Sequence, residues 1–258
     1  MKLTFLGTGT SFGIPIIGCD CAVCHSQDPR DRRTRIGAVI ESDGGTRILI
    51  DTPPELRLQL VNAGIDKVDA VFFTHDHADH IHGIDDVRAM TVRQRHPLPM
   101  YAEPDVLARL AQRFPYVFDE RMRPLPGTSK PEGEPRAIRD TDCVDVGDMR
   151  VEAIALPHGR MNVLAYRVGA LGFVTDAKSV PDAAIARLRG VRVLVLNALF
   201  RRAHPTHLSI SEAVAVAAHV GAERTYLIHL THETSHAELE AELPPGVRPA
   251  HDGLVIEV

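Results

Sequence analysis

The chain has 258 residues, 44% of them hydrophobic and 24% charged, with a formal net charge of -5. That composition suits a soluble globular protein with ample core, and no apolar run approaches the roughly 20 residues of a membrane span. The acidic balance leaves no global basic field to hold a nucleic-acid duplex, and four cysteines are too few for a disulfide framework, which points to a reducing cytoplasm.

In chain order, apolar runs bounded by turn residues predict strands over 2–6, 37–41, 47–51, 70–74, 99–101, 149–155, 163–168, 172–175, 191–197, 224–229 and 254–258. Helical patterns fall over 54–63, 81–87, 104–114, 181–188, 211–220 and 236–242. Ser209 or Ser211 caps the helix through ISEAVAVAAHV. The start, MKLTFLGTGTSFGIP, reads as a strand entering a Gly/Thr/Ser loop and not as a signal peptide. Residues 123–140 are rich in Pro, Gly and charge and read as a solvated loop. Strands with helices inserted between them predict an α/β chain, read as one domain over 1–258.

Two clusters carry chemistry. GCDCAVCHSQ places Cys19, Cys21 and Cys24 within six positions, close enough for three of the four ligands of a tetrahedral metal site. Cys143 stands far away and reads as a small apolar residue. HDHADH, directly after the strand AVFFT, sets His75, His77, Asp79 and His80 at a strand end. His75 and His77 can share one metal while Asp79 and His80 reach a second. Mixed imidazole and carboxylate ligands suit Zn²⁺, Mn²⁺ or Fe²⁺.

HxHxDH resembles the signature of the metallo-β-lactamase-fold hydrolases. The resemblance continues along the chain through His158 in LPHG, Asp176 in FVTDA and His229 in LIHL. It implies an αββα four-layer sandwich, two mixed β-sheets flanked by helices, with a two-metal site at one edge. By that resemblance His75, His77 and His158 bind one metal, Asp79, His80 and His229 the other, and Asp176 bridges them. Asp79 and His207 are the catalytic candidates. Asp51, ending the strand ILID, is expected to orient a ligand histidine by accepting its other N–H, to cap the helix that follows, or both.

The nearest subgroup in resemblance is the PhnP type of cyclic phosphodiesterase, with its GTG, its C-x-C-x-x-C loop and a late pair of histidines. It implies that His232 in HLTHETSH completes a structural Cys₃His zinc site with Cys19, Cys21 and Cys24. His25 and His236 remain alternative fourth ligands, and a redox cluster is the alternative use of the cysteines. The expected cofactors are two active-site divalent metals, Mn²⁺ or Zn²⁺, and one structural Zn²⁺.

The same resemblance implies hydrolysis of small cyclic phosphodiesters, such as 2′,3′-cyclic nucleotides or ribosyl 1,2-cyclic phosphate. His207, in HPTHLS, resembles the extra, non-ligand histidine of the phosphodiesterase branch; His204 is read as shaping that loop. GTGTS offers backbone N–H groups to an anion. Arg33 and Arg35, in RDRRTRIG, read as a solvated basic run, with contact to a substrate phosphate as the alternative. The competing readings are an RNase Z-like nuclease, a pyrroloquinoline-quinone biosynthesis-type protein, a two-iron oxidoreductase and a non-catalytic metal-binding protein. The expected partner is a small-molecule phosphodiester, with no membrane or nucleic acid, and a homodimer by base rate.

Overall fold

The computed structural model describes residues 1–258. Its strands are β1 (Lys2–Gly7), β2 (Gly37–Glu41), β3 (Arg47–Ile50), β4 (Ala70–Phe72), β5 (Leu98–Ala102), β6 (Gly133–Ala137), β7 (Cys143–Val146), β8 (Met149–His158), β9 (Met161–Val168), β10 (Leu171–Val174), β11 (Val193–Asn197), β12 (Arg224–Ile228), β13 (Val247–Pro249) and β14 (Val255–Glu257). The helices are α1 (Leu56–Asn62), α2 (Ala78–Ile81), α3 (Arg88–Gln94), α4 (Pro104–Arg113), α5 (Pro115–Phe118), α6 (Asp182–Leu188), α7 (Ile210–Val220) and α8 (His236–Glu242). The strands form two seven-stranded mixed sheets, ordered β14-β1-β2-β3-β4-β5-β6 and β13-β12-β11-β10-β9-β8-β7.

Alternation along the central strands explains the stacking. Ile48 and Ile50 of β3 face the inter-sheet core, while Leu49 between them faces the helices. On β11, Val193 and Val195 point inward and Leu194 and Leu196 outward. A strand buried on both faces must be apolar at every position. The core therefore has three layers, one between the sheets, one beneath α1–α5 and one beneath α6–α8. This is the αββα sandwich that the sequence resemblance implies.

Strand direction then places a site. β3, β4, β5 and β6 run parallel to one another, as do β10, β11, β12 and β13. In parallel sheets the chain leaves the carboxyl ends into loops, and ligands collect there. Asp51 follows β3, His75 lies three residues beyond β4, Asp176 two beyond β10, and His229 directly follows β12. His158 closes β8 at its hairpin with β9.

Three expectations change. The helix expected over 81–87 is absent. The chain leaves α2 at Ile81, turns through a short 3₁₀ segment at Ile84–Val87, and forms α3 only afterwards. The cause is Gly83, whose N–H bonds Thr52 O and where a Cβ would lie 2.0 Å from Pro53 O. Second, residues 123–140 are not all loop. Strand β6 lies at the sheet edge with four of its five residues exposed, where Pro135 is tolerated. Third, Cys143 is exposed at the start of β7 and packs in no core.

Candidate metal centre

Six imidazoles and two carboxylates converge where the two sheets' loops meet. Asp176 is the hub. Its Oδ2 lies 3.2 Å from His207 Nε2, 3.4 Å from His229 Nε2, 3.6 Å from His80 Nε2 and 4.0 Å from His75 Nε2. The ligand atoms of His75, His77 and His158 lie within 4.8 Å of one another, as do those of His75, His80 and Asp176. Asp79 joins through His80, its Oδ2 3.5 Å from His80 Nε2. His229 joins through Asp176. His77 is exposed and marks the mouth, whereas His75, His80, His158, Asp176 and His229 are buried.

Local chain geometry holds these groups in place. Asp51, Asp176 and His229 all have positive φ, at 60°, 57° and 59°. Left-handed backbone costs a non-glycine residue about 1–2 kcal/mol, and such strain gathers at functional sites. Asp51 accepts hydrogen bonds from Thr74 N and Thr74 Oγ1, both at 2.8 Å, and lies 2.7 Å from His80 Nδ1. His158 Nδ1 donates to Thr206 O at 2.9 Å. Both contacts turn the opposite ring nitrogen, Nε2, toward the cluster.

The donor set fits divalent cations. His75 Nε2 and His80 Nε2 are buried and have no hydrogen-bond partner, although both face Asp176. Orphaned buried nitrogens are costly, and here several converge beside carboxylates. The electrostatics agree. Burial, reinforced by the neighbouring His80, drives the His75 imidazole well below its usual pKa, so it presents a lone pair. Burial also opposes charge on His80, but the Asp176, Asp51 and Asp79 carboxylates outweigh it and raise His80 well above its usual value. The cluster thus attracts positive charge.

The second cluster gathers around His232. Its Nδ1 lies 3.3 Å from Cys19 Sγ, 3.4 Å from Cys21 Sγ and 3.7 Å from Cys24 Sγ. These are the edge lengths of a small tetrahedron, and four protein ligands leave no open position. His25 instead stands exposed 3.6 Å from Asp20, and His236 Nδ1 faces Arg33 at 3.2 Å. Cys24 N–H donates to Cys21 Sγ, the first cause of a Cys21 pKa lowered to about 6.

The expectation about the arginines is overturned, and the glycines of GTGTS prove to have a structural role. Arg33 belongs to no solvated run. It is buried and donates to Thr8 Oγ1, Ala250 O and His236 Nδ1, tying the first loop to the C-terminal segment. Arg35 pairs with Glu55. GTGTS, in turn, is packed against backbone. A Cβ on Gly7 would meet Arg35 O at 1.9 Å and one on Gly9 would meet Arg33 O at 2.8 Å. Those glycines permit a close crossing of chains, and Gly9 N–H is already spent on Thr34 O.

Sequence reasoning missed Asp76. This carboxylate, between His75 and His77, is buried and receives Arg109 Nε at 2.8 Å and Arg113 NH2 at 3.0 Å from α4. Arg113 NH1 also donates to Asp76 O. The only signal was an i, i+4 arginine pair on a predicted helix.

An imidazole and carboxylate cluster at the carboxyl edge of an αββα sandwich defines a candidate metal centre. Residues 46–230 match the family model described as a beta-lactamase superfamily domain. A crystal structure described as a new diphosphatase from the PhnP family superimposes with a TM-score of 0.91 at 37% identity, covering 100% of this chain and 97% of that one. An octanoyltransferase from Porphyromonas gingivalis is 40% identical over 98% of this chain, which spans 51% of that relative's length. Zn²⁺-bound PqqB from Methylobacterium extorquens shares the fold, with a TM-score of 0.78 at 19% identity and full coverage of both chains. The chain belongs to the metallo-β-lactamase superfamily and, within it, to the PhnP family.

Proposed function

We infer that this protein is a metal-dependent hydrolase, a phosphodiesterase of small molecules, with cyclic phosphodiesters such as 2′,3′-cyclic nucleotides or ribosyl 1,2-cyclic phosphate as its substrates. The observation that carries the reading is His207. Its ring is only 12% exposed, stacks on His229 with centroids 4.5 Å apart, and points Nε2 at Asp176. It is an imidazole beyond the seven groups assigned to metal, placed beside the reacting centre.

In this reading His75, His77 and His158 hold one divalent cation, Asp79, His80 and His229 hold a second, and Asp176 lies between. Mn²⁺ or Zn²⁺ fits the donors. When bound, such a pair supplies Lewis acidity toward phosphoryl oxygens and acidifies a water. The chain's own groups do the rest. Asp79, near the mouth, accepts the proton the attacking water gives up. As the new P–O bond forms and the old one breaks, the departing ribose oxygen takes the bond electrons and a proton from His207 Nε2. Cys19, Cys21, Cys24 and His232 hold a structural Zn²⁺ that pins the loop after β1.

A diphosphate diester is the second reading, favoured by the 37%-identical relative called a diphosphatase. Attack at phosphorus is the same, and only the leaving group differs. The octanoyltransferase name belongs to a relative about twice as long.

Hydrolysis of 2′,3′-cyclic AMP, a dinucleoside diphosphate and an octanoyl thioester, assayed side by side on protein loaded with Mn²⁺ or Zn²⁺, tests these readings. Turnover of the cyclic nucleotide that falls about 10²-fold or more in His207→Ala, with metal content intact, is expected. Asp79→Ala loses nearly all turnover and one equivalent of metal. Thioester turnover alone overturns the phosphodiesterase reading.

A further inference from the structure

We propose that His204 and Thr206 are positioning residues for His207, and that by fixing its ring they determine whether the enzyme can expel a poor, alkyl-type leaving group. The proposal rests on the phosphodiesterase reading.

His207 uses its two nitrogens differently. Nε2 faces Asp176 at 3.2 Å, and Nδ1 lies 2.8 Å from Thr206 Oγ1. The same hydroxyl lies 3.1 Å from His204 Nδ1, and the two histidine Nδ1 atoms are 3.3 Å apart. Proton counting orders this triangle. Thr206 N–H donates to His204 Nδ1 at 3.4 Å, so that nitrogen carries a lone pair. A threonine hydroxyl has one proton; both Nδ1 atoms lie within its reach, and in the proposed network it goes to His204 Nδ1, where it shares the lone pair with the longer Thr206 N–H contact. The hydroxyl oxygen is then left to accept from His207 Nδ1–H. This holds His207 with a proton on Nδ1 and leaves Nε2 as the nitrogen that exchanges protons with the reaction. It is the orienting logic of a catalytic triad with a hydroxyl and a second imidazole in place of a carboxylate.

The surrounding backbone is held without that hydroxyl. His158 Nδ1 donates to Thr206 O at 2.9 Å, and Leu208 N–H donates to Ala177 O at 2.9 Å. Ser209 caps α7 through a reciprocal bond with Glu212, which also binds Lys178. Removing the Thr206 hydroxyl therefore frees the His207 ring and leaves the loop in place. A ring free to rotate delivers its proton poorly. That matters for a ribose alkoxide, which must be protonated as it leaves. It matters little for p-nitrophenolate, which departs as a stable anion.

The test is the full-length, metal-loaded protein carrying Thr206→Val, Thr206→Ser or His204→Ala, assayed on 2′,3′-cyclic AMP and on bis(p-nitrophenyl) phosphate. The kcat ratio of cyclic nucleotide to aryl ester is expected to fall about tenfold or more in Thr206→Val, part of the roughly 10²–10⁴ a general acid contributes. Thr206→Ser restores the ratio, and His204→Ala lowers it in the same direction. Equal losses on both substrates, or none, overturn the proposal. An independent arm reads the ring itself by ¹⁵N NMR of the His207 imidazole. A proton on Nδ1 in the wild type, partly lost in Thr206→Val, is expected; an unprotonated Nδ1 in the wild type overturns the proposal. If the wild type turns over neither substrate, the phosphodiesterase reading fails, and the ring spectrum still decides whether Thr206 fixes His207.

Discussion

Asp51 Oδ2 lies 2.7 Å from His80 Nδ1, with both side chains fully buried. The aspartate bends into a left-handed backbone to make that contact, and two bonds from Thr74 hold it there. A carboxylate that orients a ligand imidazole is worth roughly 10–100-fold in metal affinity. Asp51→Ala is therefore expected to lower the affinity of the site that contains His80 by about that factor, measured by metal retention during dialysis against a graded chelator. Wild-type retention would remove the orienting role.

Asp76 makes a similar prediction from outside the ligand set. Arg109 and Arg113 converge on its carboxylate while His75 and His77 flank it in the chain. Both arginine side chains are more than two-fifths exposed, so solvent weakens each pair. Losing both strands a buried carboxylate, at a cost of about 1–3 kcal/mol after that screening. The double variant Arg109→Ala/Arg113→Ala is expected to unfold earlier in urea by that amount and to bind metal more weakly at the His75 site. A variant with wild-type stability and metal content would show that the pairs are ornamental.

How legible all this was depends on what each residue leans on. HDHADH is a local pattern, and its six residues predict a strand end with clustered donors before any fold is known. His158, Asp176 and His229 come singly, and only the resemblance joined them; parallel strand direction is the physical reason they meet. Strands β6, β7 and β13 escaped because edge strands have little alternation to read, and β6 has four exposed residues of five. The helix expected over 81–87 failed against a tertiary contact, the crossing of Gly83 over Pro53. Arg33 looked solvated because a run of arginines usually is. Its partners, Thr8, Ala250 and His236, are remote in sequence, and no local pattern encodes them.

Cys21 tests the structural reading of the second cluster. Its Sγ lies 3.4 Å from His232 Nδ1 and accepts the Cys24 N–H, so it holds the loop to the segment after β12. Cys21→Ser is expected to lose one zinc equivalent and to lower the melting temperature, while the folded fraction keeps its active-site metals. Elemental analysis together with thermal unfolding reads both. An unchanged metal count would show that the three cysteines and His232 hold no ion.

His236 gives the stability a defined pH dependence. Burial, with the Arg33 and Arg30 guanidinium groups, lowers its pKa to about 4. Its Nδ1 faces Arg33 NH2 at 3.2 Å, and that contact needs the lone pair. In the unfolded chain the ring titrates near 6.5. Between those values the unfolded state binds the extra proton, so this group's stabilisation is complete above about pH 6.5 and is lost as pH falls toward about 4. The whole effect is at most about 3.5 kcal/mol, from roughly 1.4 kcal/mol per pH unit. Urea unfolding at pH 7.5 and 4.5 should show a larger acid-induced loss in the wild type than in His236→Asn, whose amide oxygen keeps an acceptor for Arg33 without a titrating ring. Losses arising from metal ligands are common to both proteins and cancel in the comparison. Equal losses in the two proteins would mean that His236 is not buried in its neutral form against Arg33.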